Sequence, residues 1–357
     1  MATAVIFGGK SCEHDVSVVT GVQTLGELRA YRPVPVYIDA NGGWHTGKNL
    51  FTVAGVRSGK GLKSVYMRPG SDLLYSGGRA IARIDEAVLC CHGAGGEDGS
   101  IQGLLELCGV AYTCSGILAS ALCLDKAEFK RFASAAGFPV LPFATYTRDE
   151  WNKNIYSVAD KLNAIGYPLM IKPARQGSSI GIGKASNESE LVEKTRTAFM
   201  FDGKVVAEKL LVNFRELSCA ALSDGSEITV SGVEEPVGWK DFLTYADKYA
   251  GKRAVKRRFP ADLSHELTER VRDMTRSVFE LTGLGGVARV DWMLSEDGEL
   301  YLNEVNTVPG SLASYLFIAG GMTVSGFYGR LLSSARAALA ERRRTVYRFA
   351  PPKSVKK

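Results

Sequence analysis

Asp291 and Glu304 are the residues whose types and spacing say most about chemistry. They lie in two alternating apolar runs, Arg289-Val-Asp-Trp-Met-Leu294 and Leu300-Tyr-Leu-Asn-Glu-Val-Asn306, with Asp297-Gly298 between them. Asp-Gly is a natural two-residue turn, so the spacing predicts an antiparallel hairpin in which Asp291 faces Glu304 and Arg289 faces Asn306. The two-residue period of a strand then puts all four side chains on one face. Opposed carboxylates repel and destabilise a bare hairpin. A cation between them reverses that sign, and an all-oxygen ligand set suits Mg²⁺. The same spacing also fits a wet outer face on which Arg289 neutralises the acids.

A second candidate is Gly177-Ser-Ser-Ile-Gly-Ile-Gly-Lys184. It fails as a P-loop because five residues separate Gly177 from Gly183 and Ala185 follows the lysine. What remains is a loop of backbone N–H groups and two hydroxyls, Ser178 and Ser179, able to fold over phosphates or to serve as an ordinary connection. Lys172 ends an apolar strand and points either to solvent or into a cleft, while Lys126 opens a helix. Glu13 opens the first long helix, where a carboxylate stabilises the helix dipole.

The elements that must position these groups follow from periodicity. Up to about residue 125, short apolar runs (Thr3–Phe7, Val34–Ile38, Glu86–Cys91) alternate with helical stretches, the pattern of a parallel sheet covered by helices. Val16, Val19, Val22, Leu25 and Leu28 suggest an apolar stripe on the first helix, and Gly99–Cys108 a short one. Lys126–Ala136 reads as a helix stopped by Gly137 and Pro139, Tyr167–Lys172 as a strand ended by Pro173, and Lys204–Leu211 as another strand. Arg215–Leu222 and Glu227–Gly232 form strands around Asp224-Gly225. Trp239–Gly251 is a polar, aromatic connection, and helical spacing returns at Leu263–Leu281 and from Val324 to Arg342.

Composition bounds the rest. At 357 residues, 45% hydrophobic and 23% charged, the chain is an ordinary globular one with room for two or three domains. No apolar run approaches the ~18 residues that span a bilayer, and the N-terminus shows no leader pattern. The net charge of +6 is that of the stretch Glu341–Lys357, where seven basic residues follow one acid, so a solvated tail rather than a nucleic-acid groove carries it. Seven scattered cysteines without a C-x-x-C pair predict buried free thiols and a cytoplasmic protein.

Taken in order, several segments resemble the D-alanine–D-alanine ligases of the ATP-grasp superfamily. They are Phe7-Gly-Gly-Lys-Ser-Cys-Glu-His-Asp-Val-Ser17, His92-Gly-Ala-Gly-Gly-Glu-Asp-Gly-Ser-Ile-Gln-Gly103, Asp125-Lys126, Ile171-Lys-Pro-Ala-Arg-Gln-Gly-Ser-Ser179, Ala207-Glu-Lys209, Arg215-Glu216, Tyr245-Ala-Asp-Lys-Tyr249, Arg289-Val-Asp291 and Asn303-Glu-Val-Asn-Thr-Val-Pro-Gly310. The resemblance covers essentially the whole chain to about Arg342. It implies an α/β and α+β fold: an N-terminal parallel-sheet (pre-ATP-grasp) substrate domain at 1–123, followed by a two-lobed ATP-grasp fold. The central lobe would occupy 124–211, the C-terminal lobe 212–345, and a basic tail 346–357.

The resemblance also implies the chemistry. ATP phosphorylates the carboxylate of one D-alanine to an acyl phosphate, the amine of a second attacks, and phosphate leaves, supplying a peptidoglycan precursor. Asp291, Glu304 and Asn306 resemble ligands of two Mg²⁺ ions, or Mn²⁺ in their place. Lys126, Lys172, Lys248 and Ser179 correspond to phosphate and loop contacts, and Glu208 and Glu216 to adenine and ribose contacts. Lys209, Leu210 and Leu211 match the adenine wall. Glu13 would hold the first ammonium with His92 nearby, Ser178 and Tyr249 would lock the closing loop, and Arg289 with the Gly310 N–H would stabilise the oxyanion. A homodimer is implied.

Two positions bear on the second substrate. Tyr249 favours dipeptide over depsipeptide formation, where relatives that use D-lactate carry histidine. The segment Pro309-Gly-Ser-Leu-Ala-Ser-Tyr-Leu-Phe317 places Tyr315 where the family has a carboxylate-binding serine, so Ser311 or Ser314 is expected to supply that hydroxyl. The remaining alternatives are a ligase for another amino or hydroxy acid and a non-catalytic nucleotide-binding relative.

Overall fold

A computed structural model describes residues 2–237 and 256–347 of the chain. Its first part is built on a six-stranded sheet in the spatial order Lys63–Ser64, Trp44–Thr46, Val34–Ile38, Thr3–Gly8, Glu86–Leu89, Ala111–Tyr112. Thr3–Gly8 pairs in parallel with Val34–Ile38 and with Glu86–Leu89, which pairs in parallel with Ala111–Tyr112. Thr3–Gly8 is buried along its whole length, as a strand covered on both faces must be. The expected parallel sheet is therefore present. The antiparallel edge Trp44–Thr46 and Lys63–Ser64, and a separate antiparallel sheet Tyr66–Arg68, Ser71–Ser76, Arg79–Arg83, stand outside that expectation.

The helix His14–Glu27 lies where the spacing places it, but its inner face is not the valine stripe. Val19 is 54% exposed, whereas Ser17, Val18, Thr20, Gly21, Thr24 and Leu25 are buried. A repeat of three falls short of the 3.6-residue turn and drifts around the helix instead of holding one face. The small inner face has a steric cause. A Cβ at Gly21 would stand 2.2 Å from the Phe7 ring, so glycine lets the helix sit directly on the first strand.

The next part pairs the helix Lys126–Ala135 with a four-stranded antiparallel sheet in the order Phe143–Thr147, Lys204–Lys209, Leu169–Pro173, Gly183–Ala185. Asp125 caps that helix, accepting from the N–H groups of Ala127 and Glu128 at 3.1 and 3.2 Å. The third part is a second four-stranded antiparallel sheet, Ile228–Val230, Arg215–Ser223, Val287–Leu294, Leu300–Asn306, with the helix His265–Leu281 against it. A short two-stranded sheet, Glu235–Val237 with Lys256–Arg258, adjoins this. Of the polar connection Trp239–Gly251 no residue is described, nor are 348–357 of the tail.

The site hairpin departs from the expected register at its turn and regains it at a bulge. The turn is one residue longer than Asp-Gly alone. Ser295 N–H donates to the Glu299 carbonyl at 2.9 Å, leaving a loop of Glu296, Asp297 and Gly298, with Gly298 at φ 85°. A bulge at Asn303 takes up the extra residue, so Trp292 faces Leu302 but Asp291 still faces Glu304 and Arg289 faces Asn306.

The closing helix Val324–Arg344 returns to the beginning of the chain. Phe327, Tyr328 and Leu331 share one core with Val5, Phe7, Val88 and Cys90 from the parallel sheet. All seven cysteines are free thiols, six buried and Cys12 exposed. Among the described residues no helix is long and apolar enough to cross a membrane.

Candidate active site

The hairpin strands carry Arg289, Asp291, Glu304 and Asn306 on one face, as expected. Asp291 is saturated. Arg289 Nε and Nη2 donate to its two oxygens at 2.8 and 2.7 Å, Ser218 Oγ to Oδ1 at 2.8 Å and Asn306 Nδ2 to Oδ2 at 2.9 Å. Four donors fill the lone-pair directions of one carboxylate. Burial opposes the charge on Arg289, yet Asp291 raises its pKa well above the ordinary value. Glu304 is met by Lys126, the first residue of the helix Lys126–Ala135, with Nζ at 3.3 Å; the same ammonium donates to the Gln176 carbonyl at 2.7 Å.

Two carboxylates and one amide on one face, each carboxylate already drawing a cationic side chain, suit a hard divalent cation in chemistry and charge. Among the described residues no group of three or more His, Cys, Asp or Glu side chains gathers as a metal site. The face therefore offers a metal two carboxylates, Asp291 and Glu304, and the amide oxygen of Asn306, with every lone-pair direction of Asp291 already met by a donor.

A second buried cluster surrounds Glu208, which the resemblance assigned to the nucleotide base. The carboxylate is 1% exposed and lies between Lys130 Nζ, at 2.8 Å, and Lys172 Nζ, in direct contact. Burial alone would raise its pKa, but the two ammonium groups overcome that and hold it at about 2. Glu208 is thus the ionised anchor of two lysines. Lys130 was missed in the sequence, although its place four residues after Lys126 and one after Phe129 puts it on the inner face. Lys209 turns away, donating to the carbonyls of Gly166 and Tyr167 at 3.1 and 2.8 Å. Leu210 and Leu211 follow half-buried, and Glu216 lies on Arg215–Ser223 opposite Met293.

The Gly177–Gly183 loop reaches the start of the first helix. Ser178 Oγ donates to Glu13 Oε1 at 2.5 Å. A Cβ at Gly177 would fall 2.6–2.9 Å from the Glu13 carboxyl atoms, so only glycine lets the loop come this near. Ser178 and Ser179 adopt left-handed φ of 51° and 59°, a cost sequence alone does not reveal. Tyr249 and Lys248 lie outside the described residues.

Behind Glu13, His92 is buried. Its Nε2 is 2.9 Å from Thr20 Oγ1, and its N–H donates to Ser17 Oγ at 2.8 Å. Burial, with Arg289 nearby and against a hydrogen bond to the Val308 backbone, lowers its pKa to about 4, so the ring is neutral. Glu97, also buried, accepts from the N–H groups of Gly93 and Val308, both at 2.9 Å. Burial and the charge of Glu13 push it up to about 7. Thus the polar face of the first helix and Glu97 tie the parallel sheet to the turn after Asn306.

That turn, Gly310–Ala313, holds three successive left-handed residues, Ser311, Leu312 and Ala313, near φ 50°. Ser311 Oγ donates to Gln23 Oε1 at 2.7 Å, and Ser314, 1% exposed, donates to the Ser311 carbonyl at 3.0 Å. Neither hydroxyl is the free donor expected of it, because the tight turn uses both inside the chain.

The D-ala D-ala ligase N-terminus family model matches residues 2–115, and the D-ala D-ala ligase C-terminus model matches residues 132–332. The chain belongs to the D-alanine–D-alanine ligase family. A D-alanine–D-alanine ligase of Thermosipho africanus is 34% identical over 353 residues, covering 96% of this chain and 95% of its own. That of Geobacillus kaustophilus is 32% identical over 363 residues, with 97% of both chains covered. Among solved structures, the ligase of Coxiella burnetii superposes with a TM-score of 0.83 over 96% of both chains at 23% identity, a likeness of fold. The VanG D-Ala:D-Ser ligase of Enterococcus faecalis reaches 0.81 at 29% identity, with 94% of this chain and 99% of that one covered. The mixed α/β architecture expected from the sequence is the architecture of this family.

Proposed function

We propose that the protein is an ADP-forming, ATP-dependent D-alanine–D-alanine ligase acting in the cytoplasm as a homodimer, with units near 1–123, 124–211 and 212–345 and a basic tail at 346–357. The observation that carries this reading is the Asp291–Glu304–Asn306 face, reached by Arg289 along its own strand and by Lys126 from the start of the helix Lys126–Ala135.

In this reading Lys126 and Lys172 bind phosphate oxygens, with Lys248 and the loop carrying Ser179 above them. Glu208 holds Lys172 in place through its charge. Lys209 to Leu211 wall the base, and Glu216 takes the ribose. Asp291, Glu304 and Asn306 would hold Mg²⁺, which when bound screens the phosphates and orients the transferred group. Glu13 holds the ammonium of the first D-alanine, with neutral His92 behind it. Ser178, with Tyr249, keeps the loop on Glu13 so that water is excluded from the acyl phosphate. Arg289 and the Gly310 N–H face the oxyanion that forms when the second amine attacks. Ser311 and Ser314 shape the turn lining the acceptor.

Phosphate release from ATP with Mg²⁺ and D-alanine, with the dipeptide quantified, tests the reading. Glu304→Gln should lose most activity at matched Mg²⁺ while keeping its fold. Near-normal turnover by that variant would remove the metal assignment. Tyr315 in place of the expected serine favours a second reading, an acceptor other than D-alanine, which the same assay resolves across D-amino and hydroxy acids.

A further inference from the structure

Tyr315 and Arg257 are 58 residues apart in sequence and in direct contact. Tyr315 lies in the first turn of the helix Ser314–Ala319, and Arg257 is the middle residue of the strand Lys256–Arg258. Arg257 Nη1 donates to the Tyr315 phenol oxygen at 2.7 Å and to Glu234 Oε1 at 2.6 Å. The guanidinium carbon stands 5.2 Å from the centre of the Tyr315 ring. Glu234 is 2% exposed, so the arginine is pinned from beneath by a buried carboxylate.

This arrangement leaves donors available. Both hydrogens of Nη1 are engaged, whereas Nε and Nη2 have no hydrogen-bond partner among the described residues, and 48% of the Arg257 side chain is exposed. The phenol oxygen already accepts from Arg257, so its own proton is free to be donated. Burial, opposed by Arg289 and Arg257, raises the Tyr315 pKa, which keeps the phenol a donor at neutral pH. A guanidinium edge with a phenol O–H beside it matches the planar, two-oxygen shape of a carboxylate.

In the ligase reading the acceptor attacks through its amine and keeps a free, ionised carboxylate. Enclosing that carboxylate without donors is strongly unfavourable, because its lost hydration is not replaced. The hydroxyls of Ser311 and Ser314 are engaged elsewhere, and Arg289 is held by Asp291 on the same face. We propose that Arg257 and Tyr315 together recognise the carboxylate of the acceptor substrate. The proposal rests on the ligase reading and deepens it. A phenol is larger than a serine hydroxyl and shortens the space for the acceptor, which restricts it to a small side chain. An acceptor amide is disfavoured, because its NH₂ meets donors only.

The test is the steady-state dependence of phosphate release on the best D-amino acid acceptor and on its amide. The unaltered enzyme is compared with Tyr315→Phe, Arg257→Lys and the double variant Arg257→Met/Glu234→Gln, in which no buried charge is stranded. We expect the acceptor KM to rise about fivefold in Tyr315→Phe and about tenfold or more in the arginine variants, a fold-change equal to one charge-assisted hydrogen bond. The KM values for ATP and the first D-alanine should stay within about twofold, and the preference for acid over amide should collapse. An unchanged acceptor KM in Tyr315→Phe and the double variant, or an intact preference for the acid, would overturn the carboxylate site alone. Equal rises in all three KM values would also overturn it, by showing a structural role. No phosphate release by the unaltered enzyme with any amino acid would overturn the ligase reading together with this one.

Discussion

Arg289 and Asp291, two positions apart on the strand Val287–Leu294, are joined by a two-pronged pair at 2.8 and 2.7 Å, with Ser218 and Asn306 completing the shell of the carboxylate. The group proposed for the oxyanion thus latches the group proposed for the metal. A cation at Asp291 would displace a donor, and Arg289 would then turn toward the reacting centre.

Asp291→Asn should weaken Mg²⁺ binding in the presence of a non-hydrolysable ATP analogue, measured by titration calorimetry. It should also lower the unfolding free energy by about 1–3 kcal/mol, because Arg289 loses a partner in a site only about a fifth exposed. Unchanged Mg²⁺ affinity would separate Asp291 from the metal.

Lys130→Met should destabilise the protein by about 3 kcal/mol or more and raise the KM for ATP, since Glu208 is left with Lys172 as its one ammonium partner among the described residues. Adding Glu208→Gln should recover part of the stability in a thermal melt. A melt for Lys130→Met equal to that of the parent would mean the cluster carries no energetic coupling.

Ser178→Ala removes the hydrogen bond that draws the glycine-rich loop onto Glu13. The expected result is leakage: phosphate released per dipeptide should rise above one as water reaches the intermediate. In the parent, protease protection of the loop should increase with Mg²⁺ and a non-hydrolysable ATP analogue.

His92 sets a pH dependence whose sign is fixed by its lowered pKa. Between its ordinary 6.5 and about 4 the unfolded chain takes up a proton that the buried ring does not, so its contribution to stability is full above pH 6.5 and is lost on acidification toward 4. Glu97 acts oppositely. Its carboxyl, raised to about 7, favours the folded state at low pH and loses that contribution as pH climbs from 4.5 to 7. His92→Gln should therefore flatten the acid side of a plot of unfolding free energy against pH, by up to about 3 kcal/mol. A plot parallel to the parent's would show that His92 is not held neutral.

The fold and much of the site were legible wherever the physics is local. Alternating runs and the Gly/Pro stops placed the parallel strands, the helix Lys126–Ala135 and the site hairpin within a few residues. The facing of Asp291 and Glu304 followed from the period of a strand. It survived a wrong turn length because the bulge at Asn303 restored the register. The inner face of His14–Glu27 was misread for the opposite reason. Its Ser17, Thr20 and Thr24 are buried by partners far away in sequence, His92, Ser311, Cys90 and Tyr328, which no periodicity encodes.

By itself the sequence determined the parallel strands, the acidic face of the hairpin, the glycine-rich loop and, through its ordered motifs, the family. Tertiary structure alone decided which donors remain available. Ser311 and Ser314 have the right atoms but donate within the turn, while Arg257, on a separate strand, meets Tyr315 across 58 residues. The physical reason is that a hydrogen-bonding group's chemical use depends on what already occupies it. Chain packing, not residue type or spacing, settles that occupancy.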